Sequence, residues 1–366
     1  MPPKSVRVAL DPPYSVRVVE TFAEAWKQVA AFDRPIGMIV ADRRVVERQP
    51  RVFRGLERRA RSRVVLVDGG EKAKTMRRFE ALHRSAIDLG MDRSSLVVAV
   101  GGGTVGDLTG FFASTWMRGV PWVPIATTSL SIADSAVGGK TAVNFGSAKN
   151  LVGTFHQPIG VIGVVEALAS LSPRHRRSGL AEVLKAGIIA DAKLFGRIVA
   201  RAEELKSLDP EVWIDVLVRA CRVKAQIVAR DPREGGSRAL LNFGHTIGHA
   251  LEVAQTPRPT HGEAVALGMI SASWVSERLD VAPPGTTEAV REAVGSLGLP
   301  RKAREIDRSS LWRAIRYDKK SRDGLARLVL TEGVGSATFG HAVPRKILQQ
   351  SLSVLGIGSP GGASAS

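Results

Sequence analysis

The sequence predicts an α/β domain followed by a mainly α-helical one, on three observations. In residues 1–168, short apolar runs alternate with a stretch of helical periodicity, the βαβ logic of a parallel, Rossmann-like sheet. A glycine turn, Gly101-Gly-Gly-Thr-Val-Gly-Asp107, follows one of those runs directly. From about Gly179 onward, strand-like runs become rare and apolar residues recur at helical spacing.

The elements follow in chain order. Residues 37–41, 64–67, 96–100 and 122–125 read as buried strands, and 75–89 as a helix between two of them. Residues 180–189, 211–229, 246–253 and 263–279 read as helices of the second domain. The division expected is 1–168 for the α/β domain and 169–355 for the helical one. Residues 356–366 are rich in Gly, Ser, Ala and Pro, and are expected to be a disordered tail.

Composition narrows the functional classes. A chain of 366 residues has ample length for two cores, and 44% hydrophobic with 24% charged residues is an ordinary soluble balance. Cys221 is the only cysteine, which excludes an internal disulfide and a multi-thiolate zinc site. No apolar signal core and no bilayer-length apolar run occur, so a cytoplasmic protein without a membrane partner is expected. The net charge of +17 is unusual, with arginines crowded between Arg43 and Arg63 and again in Arg174-His-Arg-Arg177. Such a surface attracts anions. With aromatics at only 5% and no basic run interleaved with stacking residues, nucleic acid is not the expected partner. A solvated basic surface and a site for anionic substrates are expected instead.

Two segments carry chemistry. In Gly101-x-Gly103-x-x-Gly106, glycines after a strand let backbone amides approach a pyrophosphate, so a dinucleotide is the expected ligand. The acidic residue usual about 20 positions downstream is missing. Asp42 and Asp68, both upstream, are the candidate ribose-binding acids. Thr127–Thr141 and Asn144–Asn150 then supply hydroxyls, a carboxylate, lysines and asparagine suited to a polyhydroxylated, phosphorylated ligand. Gly138-Gly-Lys-Thr141 lacks the full P-loop spacing, so an ATPase is not expected.

The second segment holds three of the seven histidines, His245, His249 and His261. His245 and His249 are four apart and share one helix face. They could chelate a metal or be hydrogen-bonded core residues. His261 strengthens the metal reading, and a carboxylate from elsewhere would complete three protein ligands with an open position.

Taken together, these segments resemble the 3-dehydroquinate synthase family of sugar phosphate cyclases, from about Val64 to Gly335. The resemblance rests on Asp68-Gly-Gly-Glu-Lys-Ala-Lys-Thr75, the glycine turn, Met117-Arg-Gly119, Asp134-Ser-Ala-Val-Gly-Gly-Lys-Thr141 and Lys149-Asn-Leu-Val-Gly-Thr-Phe-His-Gln-Pro158. It continues in Gly179-Leu-Ala-Glu-Val-Leu-Lys185, Arg238-Ala-Leu-Leu-Asn-Phe-Gly-His245, His261-Gly-Glu263 and Asp318-Lys-Lys320. It implies a dehydroquinate synthase-like fold: an NAD-binding α/β domain and a helical metal- and substrate-binding domain.

The resemblance also implies the site. Glu182, His245 and His261 would hold Zn²⁺, with Co²⁺ as an alternative, and His249 would serve the substrate instead of the metal. NAD contacts would come from Asp42, Glu71, Lys74, Gly102, Gly103, Asp107, Thr127, Thr128 and Lys149. Asp134, Lys140, Lys185, Asn242 and His249 would be catalytic. Asn150, Lys224, Arg238, Lys319 and Lys320 would bind substrate, and Arg118 would reach the substrate phosphate of the partner subunit in a homodimer. The implied substrate is a small phosphorylated sugar acid, 3-deoxy-D-arabino-heptulosonate 7-phosphate. It would be transiently oxidised, lose phosphate, be re-reduced and close to 3-dehydroquinate.

Several positions depart from the family pattern. Asn144-Phe-Gly-Ser-Ala-Lys-Asn150 replaces Asn-His-Pro-x-Gly-Lys-Asn, and Gly146 there looks more like the valiolone-producing cyclases. Ala126 replaces a proline before the paired threonines, and Leu171-Ser-Pro-Arg-His175 lacks a family glutamate. Asp42-Arg-Arg44 replaces Asp-x-Asn; Asp42 favours NAD, while Arg44 would accommodate the 2′-phosphate of NADP. A paralogous cyclase acting on a non-carboxylated sugar phosphate and a metal-dependent polyol dehydrogenase remain the alternatives.

Overall fold

The computed structural model describes residues 5–61, 63–146, 148–317 and 326–358. Lys319, Lys320 and positions 359–366 of the expected tail therefore lie outside the described residues. The chain forms two compact units, Met1–Ser172 with Leu208–Arg233, and Pro173–Ser207 with Glu234–Ser366. This departs from a single cut at 168/169. The long helix Pro210–Arg230 belongs with the first unit, because Trp213, Leu217 and Cys221 are buried along a helix that packs on that unit's first two strands.

The first unit is built on a seven-stranded sheet. Its strands are β1 (Ser5–Val8), β2 (Tyr14–Val19), β3 (Ile36–Asp42), β4 (Val64–Val67), β5 (Leu96–Gly101), β6 (Trp122–Ala126) and, after a separate hairpin β7 (Lys140–Phe145) and β8 (Ala148–Phe155), β9 (Val161–Val164). The order is β1-β2-β9-β6-β5-β3-β4, parallel throughout except for the edge strand β1. Because successive strand side chains point to opposite faces, Ile39, Val98 and Val123 stand in register on one face. Met38, Val40, Val97 and Ala99 fill the other. Burial on both faces explains why these strands read as continuous apolar runs.

Strand order reverses at the β3–β5 pair: from β3 the sheet grows outward through β4, and on the other side through β5 and β6. Ligands of open parallel sheets bind at the carboxyl ends of strands at such a reversal. Asp42 ends β3 and Gly101 ends β5. The helix expected over 75–89 spans Met76–Asp88, with Thr75 as its N-cap accepting from the Arg78 amide at 3.2 Å.

The second unit is mainly helical, with a hairpin of strands Ala326–Gly333 and Ser336–Val343 that the sequence reading did not foresee. At its centre lies the helix His261–Arg278, buried along Ala264, Val265, Leu267, Gly268, Met269 and Ala272. It packs on the helix His245–Ala254. A Cβ at Gly268 would collide with the carbonyl of Gly244, and Gly244 itself is left-handed with φ +78. Glycine there permits backbone contact between the two helices.

Candidate functional site

The candidate nucleotide-binding elements of the first unit centre on the glycine turn. The helix Gly103–Thr115 starts there with Gly102 as N-cap, so its unpaired amides and its dipole face the end of β5. Thr127 donates its amide to the Gly101 carbonyl at 3.0 Å, and Thr128 Oγ1 accepts the Ser131 amide at 3.0 Å. Among the described residues, Thr127 Oγ1 and Ser135 Oγ are buried hydroxyls with no hydrogen-bond partner. Buried orphan donors beside a glycine turn fit the phosphates and ribose of a dinucleotide.

A polar network ties this turn to the Glu71–Ala73 segment and the β7–β8 hairpin. Lys74, 2% exposed, donates to Asp107 Oδ2 at 2.6 Å and also contacts Asn150 Oδ1. Asn144 donates to Glu71 Oε1 at 2.8 Å and accepts the Asn150 amide at 2.9 Å. Asn150 adopts φ +54, a left-handed conformation that asparagine tolerates. Burial is the largest influence on Asp107 and raises it to about 6, against the pull of Lys74. Asp42 caps the helix Arg43–Arg48 by accepting the Arg44 amide at 3.0 Å. The Arg44 guanidinium bonds the Gly69 carbonyl. Asp68, the other candidate acid, is committed to exposed pairs with Arg43 and Arg78.

The remaining residues of this unit fall into two groups. Asp134 forms an ion pair with Lys224, whose ammonium also bonds the Asp134 carbonyl. Lys140 lines a cleft with Gly103, Asp107, Ser131 and Ser135. Lys149 and Arg118 are exposed. Met117 and Arg118 are both left-handed, at φ 46 and 68. Each such non-glycine residue costs on the order of 1–3 kcal/mol, and such strain concentrates at functional sites.

The second unit brings together the acid and histidines. Glu182 and Lys185, with side chains 1% and 3% exposed, form an ion pair on the helix Pro173–Ala190. Lys185 also donates to the Leu241 carbonyl at 2.6 Å. Glu182 Oε1 lies 3.1 Å from His261 Nε2 and 3.6 Å from His245 Nε2. Tetrahedral zinc with bonds of about 2.0–2.1 Å sets its ligand atoms about 3.3–3.4 Å apart. The observed spacings bracket that value, and the donor set of two imidazoles and a carboxylate suits the ion. Glu182 Oε2 is buried and accepts no hydrogen bond of good geometry.

Both histidines beside Glu182 have their other nitrogen held. His245 Nδ1 bonds the Phe243 carbonyl at 3.1 Å, and His261 Nδ1 bonds Glu252 Oε1 at 2.7 Å. That leaves each Nε2 directed at Glu182. Burial, reinforced by Lys185, drives the His245 imidazole well below its ordinary pKa and keeps it neutral. Burial works against charge on Glu182 too, yet Lys185, His261 and His245 hold its carboxyl well below the usual range. His261 is pulled down by burial, but its bonds to Glu182 and Glu252 lift it to about 10. A divalent cation would take the place of the proton His261 shares with Glu182.

The packing around His261 explains its motif. Thr260 and Glu263 form a capping box, and Arg174 grips Glu263 at 2.6 Å. The Gly262 amide donates to Ser178 Oγ at 3.0 Å, and a Cβ at Gly262 would strike the Ser178 carbonyl. Ser178 lies one helical turn before Glu182, so this contact sets Glu182 and His261 side by side.

His249 is exposed, with its ring 5.1 Å from that of His245 and 6.1 Å from that of His261. It groups with Glu252 and His261, separately from the Glu182–His245–His261 group. The helical histidine pair is thus divided between two settings. Arg238 is 2% exposed, and Asn242 lines a small cleft with Gly244 and Thr246. The sequence reading missed Glu252, although it lies seven residues after His245 and so on the same helix face. Two other histidines bond backbone carbonyls: His83 that of Phe79 at 3.0 Å and His156 that of Val120 at 2.9 Å.

A parallel sheet with a glycine turn at its reversal point, and a helical unit with a Glu/His/His cluster, define a nucleotide- and metal-binding enzyme class. Residues 64–178 match the N-terminal family of 3-dehydroquinate synthase, and residues 179–321 match its C-terminal family. The 3-dehydroquinate synthase of Gloeobacter violaceus is 44% identical over 296 residues, 80% of this chain and 81% of that one. That of Xylella fastidiosa (strain M12) is 39% identical over 355 residues, 94% and 95% of the two chains. Among solved structures, the 2-epi-5-epi-valiolone synthase of Streptomyces hygroscopicus subsp. jinggangensis 5008, with NAD⁺ and Zn²⁺ bound, superposes with a TM-score of 0.83 at 28% identity, covering 94% and 96%. The chain belongs to the 3-dehydroquinate synthase family.

Proposed function

We propose that the chain converts 3-deoxy-D-arabino-heptulosonate 7-phosphate to 3-dehydroquinate and phosphate, as a homodimer in the cytoplasm. The observation that carries this is the buried Glu182–His245–His261 trio with Lys185 fixed against it, in a chain 44% identical to a 3-dehydroquinate synthase. When bound, NAD would take up and return a hydride while Zn²⁺ would acidify a substrate hydroxyl as a Lewis acid.

The chain's own groups do the rest. Glu182, His245 and His261 hold the metal. Gly102, Gly103, Asp107, Thr127, Thr128, Asp42, Glu71, Lys74 and Lys149 hold the dinucleotide. Asp134 and Lys185 orient substrate hydroxyls, and Asn242 keeps the sugar in place. Lys140, Asn150, His249, Lys319 and Lys320 hold the phosphate until it leaves, with Arg118 of one subunit reaching the substrate of the other. Lys224 and Arg238 clamp the substrate carboxylate. The Lys224 ammonium already engages a carboxylate, that of Asp134, and a buried guanidinium such as Arg238 suits bidentate pairing.

Gly146 favours a second reading, a valiolone-type cyclase. It turns the β7–β8 hairpin with φ +58, where the family's proline could not sit. One experiment separates the two. The protein is incubated with Zn²⁺, NAD⁺ and the heptulosonate phosphate, and phosphate and dehydroquinate are followed. Product supports the first reading; no product, with turnover of sedoheptulose 7-phosphate, supports the second. NADP⁺ in place of NAD⁺ is expected to be poorer, since Arg44 is tied to the Gly69 carbonyl.

A further inference from the structure

We infer that Glu252 is a positioning residue of the metal site: its carboxylate accepts the Nδ1 proton of His261 and so fixes that ring with Nε2 turned toward Glu182. The inference rests on the reading that Glu182, His245 and His261 hold the metal. His261 lies between two carboxylates, 2.7 Å from Glu252 at Nδ1 and 3.1 Å from Glu182 at Nε2. A neutral imidazole has one N–H. With that proton directed to Glu252, the Nε2 lone pair is presented on the side where Glu182 and His245 converge.

The two ligand histidines are then oriented by unlike acceptors. The Phe243 carbonyl holds Nδ1 of His245, a neutral partner for a buried ring. A carboxylate holds Nδ1 of His261, where the side chains of Glu252 and His261 keep 23% and 30% of their surface in solvent. An anionic acceptor polarises the ring more strongly and makes its free nitrogen a better donor. The partial exposure lowers the cost of placing a second negative charge near the site. The helix supplies the alignment: His245, His249 and Glu252 lie on one face, so the residue that tunes the second ligand stands two turns beyond the first.

The geometry leaves one competitor. His249, Glu252 and His261 could themselves converge on a cation. Glu252 would then be a ligand, bound to a second ion or to one displaced from Glu182. That arrangement would leave the most deeply buried carboxylate of the site, Glu182, balanced by Lys185 alone, which argues for Glu252 as the orienting group.

The test uses full-length protein stripped of metal, with zinc affinity measured by competition against a chromophoric chelator and the Co²⁺-loaded absorption spectrum as a second readout. Wild type should bind one zinc per chain, and His261→Ala should lose it. Glu252→Ala should weaken zinc binding by about 10–100-fold and change the Co²⁺ bands, with the metal-free protein still folded. Glu252→Gln keeps an acceptor without the charge and should fall between the two; it also serves as the test should the alanine variant not fold. Zinc affinity within threefold of wild type in whichever variant folds, with an unchanged Co²⁺ spectrum, overturns the inference. So does a stoichiometry of two zinc ions in wild type that drops to one in Glu252→Ala. If wild type binds no zinc stoichiometrically, the metal reading itself fails, which is a separate result.

Discussion

Removing Lys185 should expose how much of the second unit's stability depends on charge balance at the metal cluster. In Lys185→Met, Glu182 stays buried and loses its ammonium partner. At an effective dielectric of about 20, opposite charges roughly 3 Å apart attract by about 5–6 kcal/mol. Desolvation of both groups offsets part of this, so breaking such a pair from one side costs about 3–5 kcal/mol. The Leu241 carbonyl also loses the donor it holds at 2.6 Å. Against a typical margin of 5–15 kcal/mol, the metal-free variant should be marginal.

Bound zinc changes the balance, since a divalent cation compensates the Glu182 charge directly. Urea unfolding followed by circular dichroism, on chelator-treated and zinc-loaded protein, reads both conditions. The expected pattern is a deficit of about 3–5 kcal/mol without metal, most of it recovered with zinc. A metal-free variant within 1 kcal/mol of wild type, or a deficit that zinc leaves untouched, would refute the account of Glu182 as a buried anion shared between ammonium and metal.

Further expectations follow from other parts of the molecule. Gly268→Ala places a methyl against the Gly244 carbonyl; overpacking of this kind costs about 1–3 kcal/mol, and the separation of the helices should also lower zinc affinity, measurable by chelator competition. Asp107, raised by burial to about 6 from 3.8, keeps its proton longer folded than unfolded. Its contribution to stability therefore falls as pH climbs from about 4 to 6, and this slope in the urea midpoint should vanish in Asp107→Asn. Asp42→Ala removes a helix cap and should cost about 1 kcal/mol while reducing NAD affinity, read by fluorescence titration. Cys221, fully buried with its thiol pushed up to about 12, should resist thiol reagents in the native protein and react only in urea; rapid native labelling would contradict its placement.

What was legible in the sequence depended on whether the signal was local. The strands at 37–41, 96–100 and 122–125 announced themselves because both faces of the sheet are covered, while the edge strand at 64–67 is largely half-buried and was legible from its apolar run alone. Helix limits near 76–88 and 210–230 were set by caps such as Thr75 and Asp209 that act within a few residues. The strands β7 and β8 were harder, since β8 is largely exposed and carries no apolar alternation. The assignment of Pro210–Arg230 to the first unit depends on which surface its apolar face meets, and periodicity does not name the partner. At the metal cluster, the motif containing His245 and His249 suggested one shared role for the pair. Its glycines carry as much of the geometry. Gly244, and Gly268 on the opposing helix, let two backbones touch, which presents His245 to Glu182 while His249 groups with Glu252.

The arginine surplus behind the net charge of +17 is open to a similar argument. Several of these side chains are spent on backbone carbonyls. Arg44 bonds the Gly69 carbonyl, Arg48 that of Ser170, and Arg61 those of Leu56 and Phe53. Arg63 reaches the carbonyls of Gly37 and Leu89 at 3.1 Å each, tying the loop before β4 to the start of β3 and the end of the 76–88 helix. Loop carbonyls need donors when they leave regular structure, and guanidinium offers five in a rigid fork. An arginine used this way closes a loop without requiring an acid, so each such arginine raises net charge by one. The net positive charge is then partly a by-product of how the loops are fastened, and replacing these arginines with glutamine should lower the urea midpoint.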